Sequence, residues 1–272
     1  MTIAARPLAL PALAAVALIG VAAAVVAMAS PPSAERRVLR GIATDHRVDL
    51  PLDPGRADAP KPRRPPAAVR ITTTASGSLG TAEIAGRVAP IEVVAVGARA
   101  DLVWDPPTGE LFERDEVVAR RMVREDLPAA ADRVALVRRV RELVQATPRP
   151  IRLVPEERVA RAGARLELQI PGVAGRSVVV VVVSGDGLVG LVHPARGEAS
   201  AAAGDVTVGL DVGEPFGQDQ IVVVTSAKSL DGLAASLRRL DRRRAAGEVL
   251  GFLDALDPAT IDVGTQSVVT RP

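Results

Sequence analysis

The chain of 272 residues has no cysteine, no tyrosine, one tryptophan, three phenylalanines and two histidines. Without cysteine there is no disulfide framework, no thiolate zinc or iron–sulfur site, no lipid-modified cysteine anchor and no cysteine nucleophile. Two histidines are too few for a multi-histidine metal site. With so few rings there is little to stack on nucleobases or to line an aromatic cage, so no nucleic-acid partner is expected. Charge of one sign is also scarce: 34 basic against 32 acidic residues leave a net +2. The pI near 9.8 reflects the use of arginine for all basic positions but Lys61 and Lys228, and it argues only weakly for an anionic partner.

What the chain does have is aliphatic bulk. Hydrophobic residues make up 48% of it, enough for the core of one or two domains built from Val, Leu, Ile and Ala. Residues 7–34 carry no charge, and residues 8–29 form an apolar stretch behind the single basic residue Arg6. Two readings stand. An uncleaved helix of that length, at about 1.5 Å per residue, spans the ~30 Å hydrocarbon core of a bilayer. A cleaved secretory signal would end at Ala27-Met28-Ala29, before Ser30. Both export the remainder, to an inner-membrane-anchored position facing the periplasm or extracytoplasmic space, or as a secreted protein. Residues 30–68 then read as a Pro-rich disordered linker, with Lys61, Arg63 and Arg64 as a solvated basic cluster.

The folded region is expected in two pieces. Residues 69–150 read as a strand–helix subdomain: strands at 69–74, 91–96 and 100–104, a turn at Asp105-Pro106-Pro107, and amphipathic helices at 115–125 and 130–145 separated by Pro128. Residues 151–272 read as a β-rich module with strands at 151–154, 165–170, 177–183, 188–193, 206–212 and 220–225. Helices at 230–244 and 247–256 and a last strand at 261–270 complete it. The six valines 178–183 require a strand buried on both faces. The fold class expected is α+β: a short-stranded antiparallel β-sandwich-like module with flanking amphipathic helices.

No set of residues makes a coherent catalytic, metal or cofactor site. Gly185-Asp186-Gly187 with Gly190 matches the dinucleotide fingerprint, but no helix follows, and a hairpin turn is the better reading. Ser184, Asp186 and His193 hold the letters of a hydrolase triad, yet His193 lies at the far end of the returning strand, about 17 Å away by strand rise. Asp101, Asp105, Glu110, Glu113, Asp115 and Glu116 surround Trp104 without the spacing of a calcium loop, and Asp115 and Glu116 read as helix-start acids. Arg238, Arg239, Arg242, Arg243 and Arg244 form the densest basic face, opposite the leucine stripe of the 230–244 helix.

The order of these features, from residues 100–105 through the 178–193 hairpin to the terminal helices and strand, resembles the region that follows the peptidase domain in bacterial caspase-like proteins. That region includes a β-rich domain of unknown function. The resemblance covers residues 69–272, and its most specific portion is Pro215-Phe216-Gly217 followed by a polar pair and a strand ending in Thr225-Ser226. Caspase-like peptidases use a His and a Cys, and this chain has no Cys, so no catalytic residue carries over. The resemblance implies an appended non-catalytic module. The expectation is therefore a membrane-tethered accessory protein that binds a protein partner, one candidate being a separately encoded caspase-like peptidase. Its interaction surface would draw on Arg238, Arg239, Arg242, Arg243, Trp104 and Phe216. An envelope glycan- or lipid-binding module and a carboxylate-dependent enzyme near Trp104 are the alternatives.

Overall fold

The structure is a computed structural model that describes residues 66–74, 79 and 88–272. The expected apolar helix and all but the last residues of the expected linker lie outside the described residues. Among the described residues, no helix is long and apolar enough to cross a membrane.

The fold is α+β, with three sheets and three α-helices among the described residues. The first sheet runs β2-β1-β3-β4-β5, from β1 (Val69–Thr73), β2 (Ile91–Val93), β3 (Leu102–Asp105), β4 (Glu110–Glu113) and β5 (Glu116–Ala119). Helix α1 (Leu127–Ala146) follows, then β6 (Arg152–Val154), β7 (Val159–Arg161), β8 (Arg165–Ile170), β9 (Ser177–Val183), β10 (Val189–His193), β11 (Val206–Asp211) and β12 (Gln218–Ser226). Helices α2 (Asp231–Leu240) and α3 (Ala246–Ala255) precede the final strand, β13 (Ile261–Arg271). The second sheet has the order β10-β9-β12-β13-β7, and the third β11-β8-β6.

The valine run acts as the sequence requires. Alternate side chains of a strand point to opposite faces. Val179, Val181 and Val183 join one hydrophobic cluster, with the first sheet and all three helices, while Val178 and Val180 join a second cluster with the third sheet. In β12, Val222 and Val224 share the first cluster, and Ile221 and Val223 the second. The second sheet is thus sandwiched between helices and a smaller sheet. Each fully buried valine contributes on the order of 1.5–3 kcal/mol. The first cluster holds Val69 and Ile71 together with Leu250 and Val263, so residues on both sides of position 150 build one core.

Four expectations need correction. The helix expected at 115–125 is a hairpin: β4 and β5 pair antiparallel with Glu113 opposite Glu116. Its two-residue turn, Arg114-Asp115, has φ 51° and 68°, the positive pair of a type I′ turn. Pro128 does not separate a pair of helices but stands in the first turn of α1, where its missing N–H costs nothing. The helix expected over 230–244 stops at Leu240, because residues 242–244 cover the edge of β10: Arg242 N–H donates to Val189 O at 2.7 Å and Val189 N–H to Arg243 O at 2.8 Å. Pairing is also not antiparallel throughout, since β1 runs parallel to β2 and β3, and β13 to β7.

Candidate functional site

The glycine motif forms the turn between β9 and β10. Ser184 N–H donates to Leu188 O and Gly187 N–H to Ser184 O, both at 2.9 Å, and the strands pair from Val183 opposite Val189. Gly187 has φ 82°, and no helix follows. Asp186 is consumed by the turn: Oδ1 accepts from Leu188 N–H at 3.1 Å and Oδ2 from Arg244 Nε at 3.0 Å. Arg244 also reaches Asp126, at 3.1 Å, and so ties the turn to the start of α1. His193 ends β10 at the opposite end from Ser184, half-buried, with no partner for Nε2. Burial pushes its pKa down against the pull of Glu198, favouring the neutral ring.

Beneath the turn lies a knot of polar groups. Arg133 on α1 is 1% exposed, and its Nη1 meets Glu113 Oε2 at 2.8 Å while Nη2 donates to Gln218 Oε1 at 3.0 Å. Asp219 on β12 is half-buried, with Oδ1 cut off from solvent and unpartnered. Loss of hydration pushes its pKa up to about 7; the Ser184 hydroxyl, Arg133 and the Thr270 hydroxyl oppose that shift, and Asp186 adds to it. The knot sets the Asp219 carboxyl beside the Ser184 and Thr270 hydroxyls, and His193 stands at the far end of β10 from Ser184.

Four of the six carboxylates around Trp104 are committed locally. Asp101 accepts from Arg70 N–H at 2.8 Å and meets Arg138 Nη2 at 2.5 Å. Asp105 accepts from the hydroxyls of Thr108 and Thr74, which hold its pKa below the usual carboxylate value. Glu110 pairs with Arg120, and Glu113 with Arg133. Asp115 and Glu116 belong to the β4–β5 hairpin and open no helix. Among the described residues, no group of three or more His, Asp or Glu is placed to hold a metal ion. Trp104 itself is half-buried against the first core cluster, its Nε1 without a partner.

The residues expected to form an interaction surface are scattered. Arg238 and Arg239 are on α2, half-buried and exposed respectively, whereas Arg242 and Arg243 lie on the segment beyond it. Phe216 is half-buried ahead of β12, next to Gly217, which abuts the Val118 backbone of β5. Two groupings escaped the sequence reading. The first is a row of apolar side chains across three strands: Val103 pairs with Phe112 and Phe112 with Val117. Their neighbours Leu102, Leu111 and Val118 face the core, so this half-exposed row faces outward, and it belongs to neither hydrophobic cluster. The second is a depression lined by Arg99, Arg114, Arg138 and Arg141. Alternation in β3 was the only sequence signal for the row; the depression draws on three separate segments.

Comparison with known proteins gives no match: no family model fits the chain, and neither curated proteins nor solved structures match it.

Proposed function

We propose that this chain is a non-catalytic accessory module of an exported, membrane-tethered protein, and that it holds a protein partner on the outer face of the first sheet. The observation that carries the reading is the row Val103, Phe112 and Val117, with Phe216 at the β5 edge: apolar side chains left outside both cores in a chain with only three phenylalanines. The commitment of Asp101, Asp105, Glu110 and Glu113 to structural pairs favours binding over carboxylate chemistry. Export rests on the apolar residues 8–29, and a separately encoded caspase-like peptidase as partner rests on the resemblance of residues 69–272. The test is crosslinking from a photoreactive residue at position 117 in the native envelope. One discrete adduct is expected, and Phe112→Ser should abolish it while leaving the far-UV CD and melting profile cooperative. No adduct above background, or an adduct indifferent to Phe112→Ser, would sink the reading.

A further inference from the structure

The arginine-lined depression, about 120 Å³ in volume, opens between α1, the start of β3 and the β4–β5 turn. Val134, Val137, Arg138 and Arg141 are spaced three and four apart and share one face of α1, while Arg99, Ala100 and Asp101 form a second wall and Glu113 and Arg114 a third. Both carboxylates are already matched, Asp101 by Arg138 and Glu113 by Arg133. Arg138 also donates to Ala68 O at 3.3 Å. Among the described residues no carboxylate lies in ion-pair range of Arg99, Arg114 or Arg141, although Asp115 and Glu116 stand exposed on the same hairpin as Arg114. Four lining cations less two lining anions give +2, and Arg133 behind Glu113 makes +3.

We propose that this depression binds a phosphate group, with Arg99, Arg114 and Arg141 as its ligands. Guanidinium forks match phosphate oxygens, and a tetrahedral oxyanion accepts from donors on three sides, whereas a carboxylate presents two oxygens in a plane. One carboxylate would also leave most of the surplus charge unanswered. The volume is roughly four times the ~30 Å³ share of a water molecule, room for one such group. It falls short of the ~300 Å³ or more of pockets that enclose larger ligands. The valine floor keeps water from one side of the charges and strengthens their field.

A phosphomonoester lipid headgroup and free phosphate share this chemistry, since each keeps three or more unesterified oxygens and up to two negative charges. The lipid source is favoured by Ala68, which marks where the chain leaves β1 toward its N-terminus beside Arg138, with Lys61, Arg63 and Arg64 only a few residues earlier.

Trp104, the single tryptophan, lies on β3 close in sequence to Asp101 and gives the readout. The full chain in neutral detergent, at constant ionic strength, is titrated with inorganic phosphate and separately with short-chain phosphatidic acid, chloride serving as reference anion. Saturable binding is expected, weakened at least about ten-fold in the R114Q/R141Q double variant and unchanged in R239Q. Tighter saturation by the lipid assigns the headgroup; tighter saturation by phosphate assigns the free ion. The proposal is overturned by saturation with neither, by an equal response to chloride, by a double variant that binds as the parent does, or by a glutamate-rich peptide that saturates where phosphate does not.

Discussion

A β-carbon on Gly185 would lie 1.6 Å from the carbonyl oxygen of Val118. The β9–β10 turn and strand β5 are therefore in backbone contact, and one methyl group is enough to push them apart. Gly187 is constrained twice, by φ 82° and by an added β-carbon that would meet Ala129 O at 2.6 Å. The third glycine of the motif differs: around Gly190 the nearest atom to a β-carbon is Val182 O at 3.9 Å. Gly185→Ala should thus cost about 3 kcal/mol or more in urea denaturation, and Gly190→Ala less than about 1 kcal/mol. A phosphate-binding loop would show the three glycines equally sensitive in a ligand assay and not ranked by packing.

The Arg133–Glu113 pair should respond unequally to loss of either partner. Glu113 is 17% exposed and can regain water, whereas Arg133 is 1% exposed and would be left as a buried cation without its carboxylate. Glu113→Gln should therefore destabilise more than Arg133→Met. The expected losses are about 3–5 kcal/mol for the first and roughly 2–3 kcal/mol for the second. The double variant should recover some of the loss, and equilibrium unfolding of the four proteins in a double-mutant cycle reads the coupling directly.

Strands β8 and β9 stand where the sequence places them because their signals are local: β-branched or alternating residues closed by Gly or Pro. The β4–β5 hairpin hid because its type I′ turn is Arg114-Asp115 and lacks the Asn-Gly that marks such turns, leaving Val118 and Met122 to imitate a helical period. The early end of α2 was illegible for another reason. Residues 242–244 leave the helix to bond β10, some fifty residues away, and no local pattern records a distant partner. The same holds for the candidate sites. Val103, Phe112 and Val117 become a row only through strand register, and Arg99, Arg114 and Arg141 share a depression only after α1 packs on the first sheet.

The β4–β5 turn also offers a gain. Asp115 is exposed, at φ 68°, and makes no hydrogen bond or ion pair among the described residues, so Asp115→Gly relieves a left-handed conformation without removing a contact. The added freedom of glycine in the unfolded chain offsets some of the benefit. A net stabilisation of about 0.5–1 kcal/mol is expected, seen as a higher thermal midpoint. A lower midpoint would mean that the Asp115 carboxylate steadies the hairpin.

Asp219 sets a pH dependence whose sign is fixed by its surroundings. The charged groups around it are Arg133 with Glu113 from α1 and the first sheet, and Asp186 with Arg244 from the β9–β10 side. Loss of hydration outweighs Arg133 and raises the folded-state pKa to about 7, against an ordinary aspartate value of 3.8. Between about pH 4 and pH 7 the folded state holds a proton that the unfolded state releases, so this group's contribution to stability falls as pH rises through that window and levels off above it. Asp219→Asn keeps the shape and stays neutral throughout. The variant should match the parent near pH 4 and become progressively the more stable of the two up to pH 8, by urea unfolding at each pH. If the parent gains on the variant over that range instead, Asp219 is ionised in the fold and Arg133, not burial, governs it.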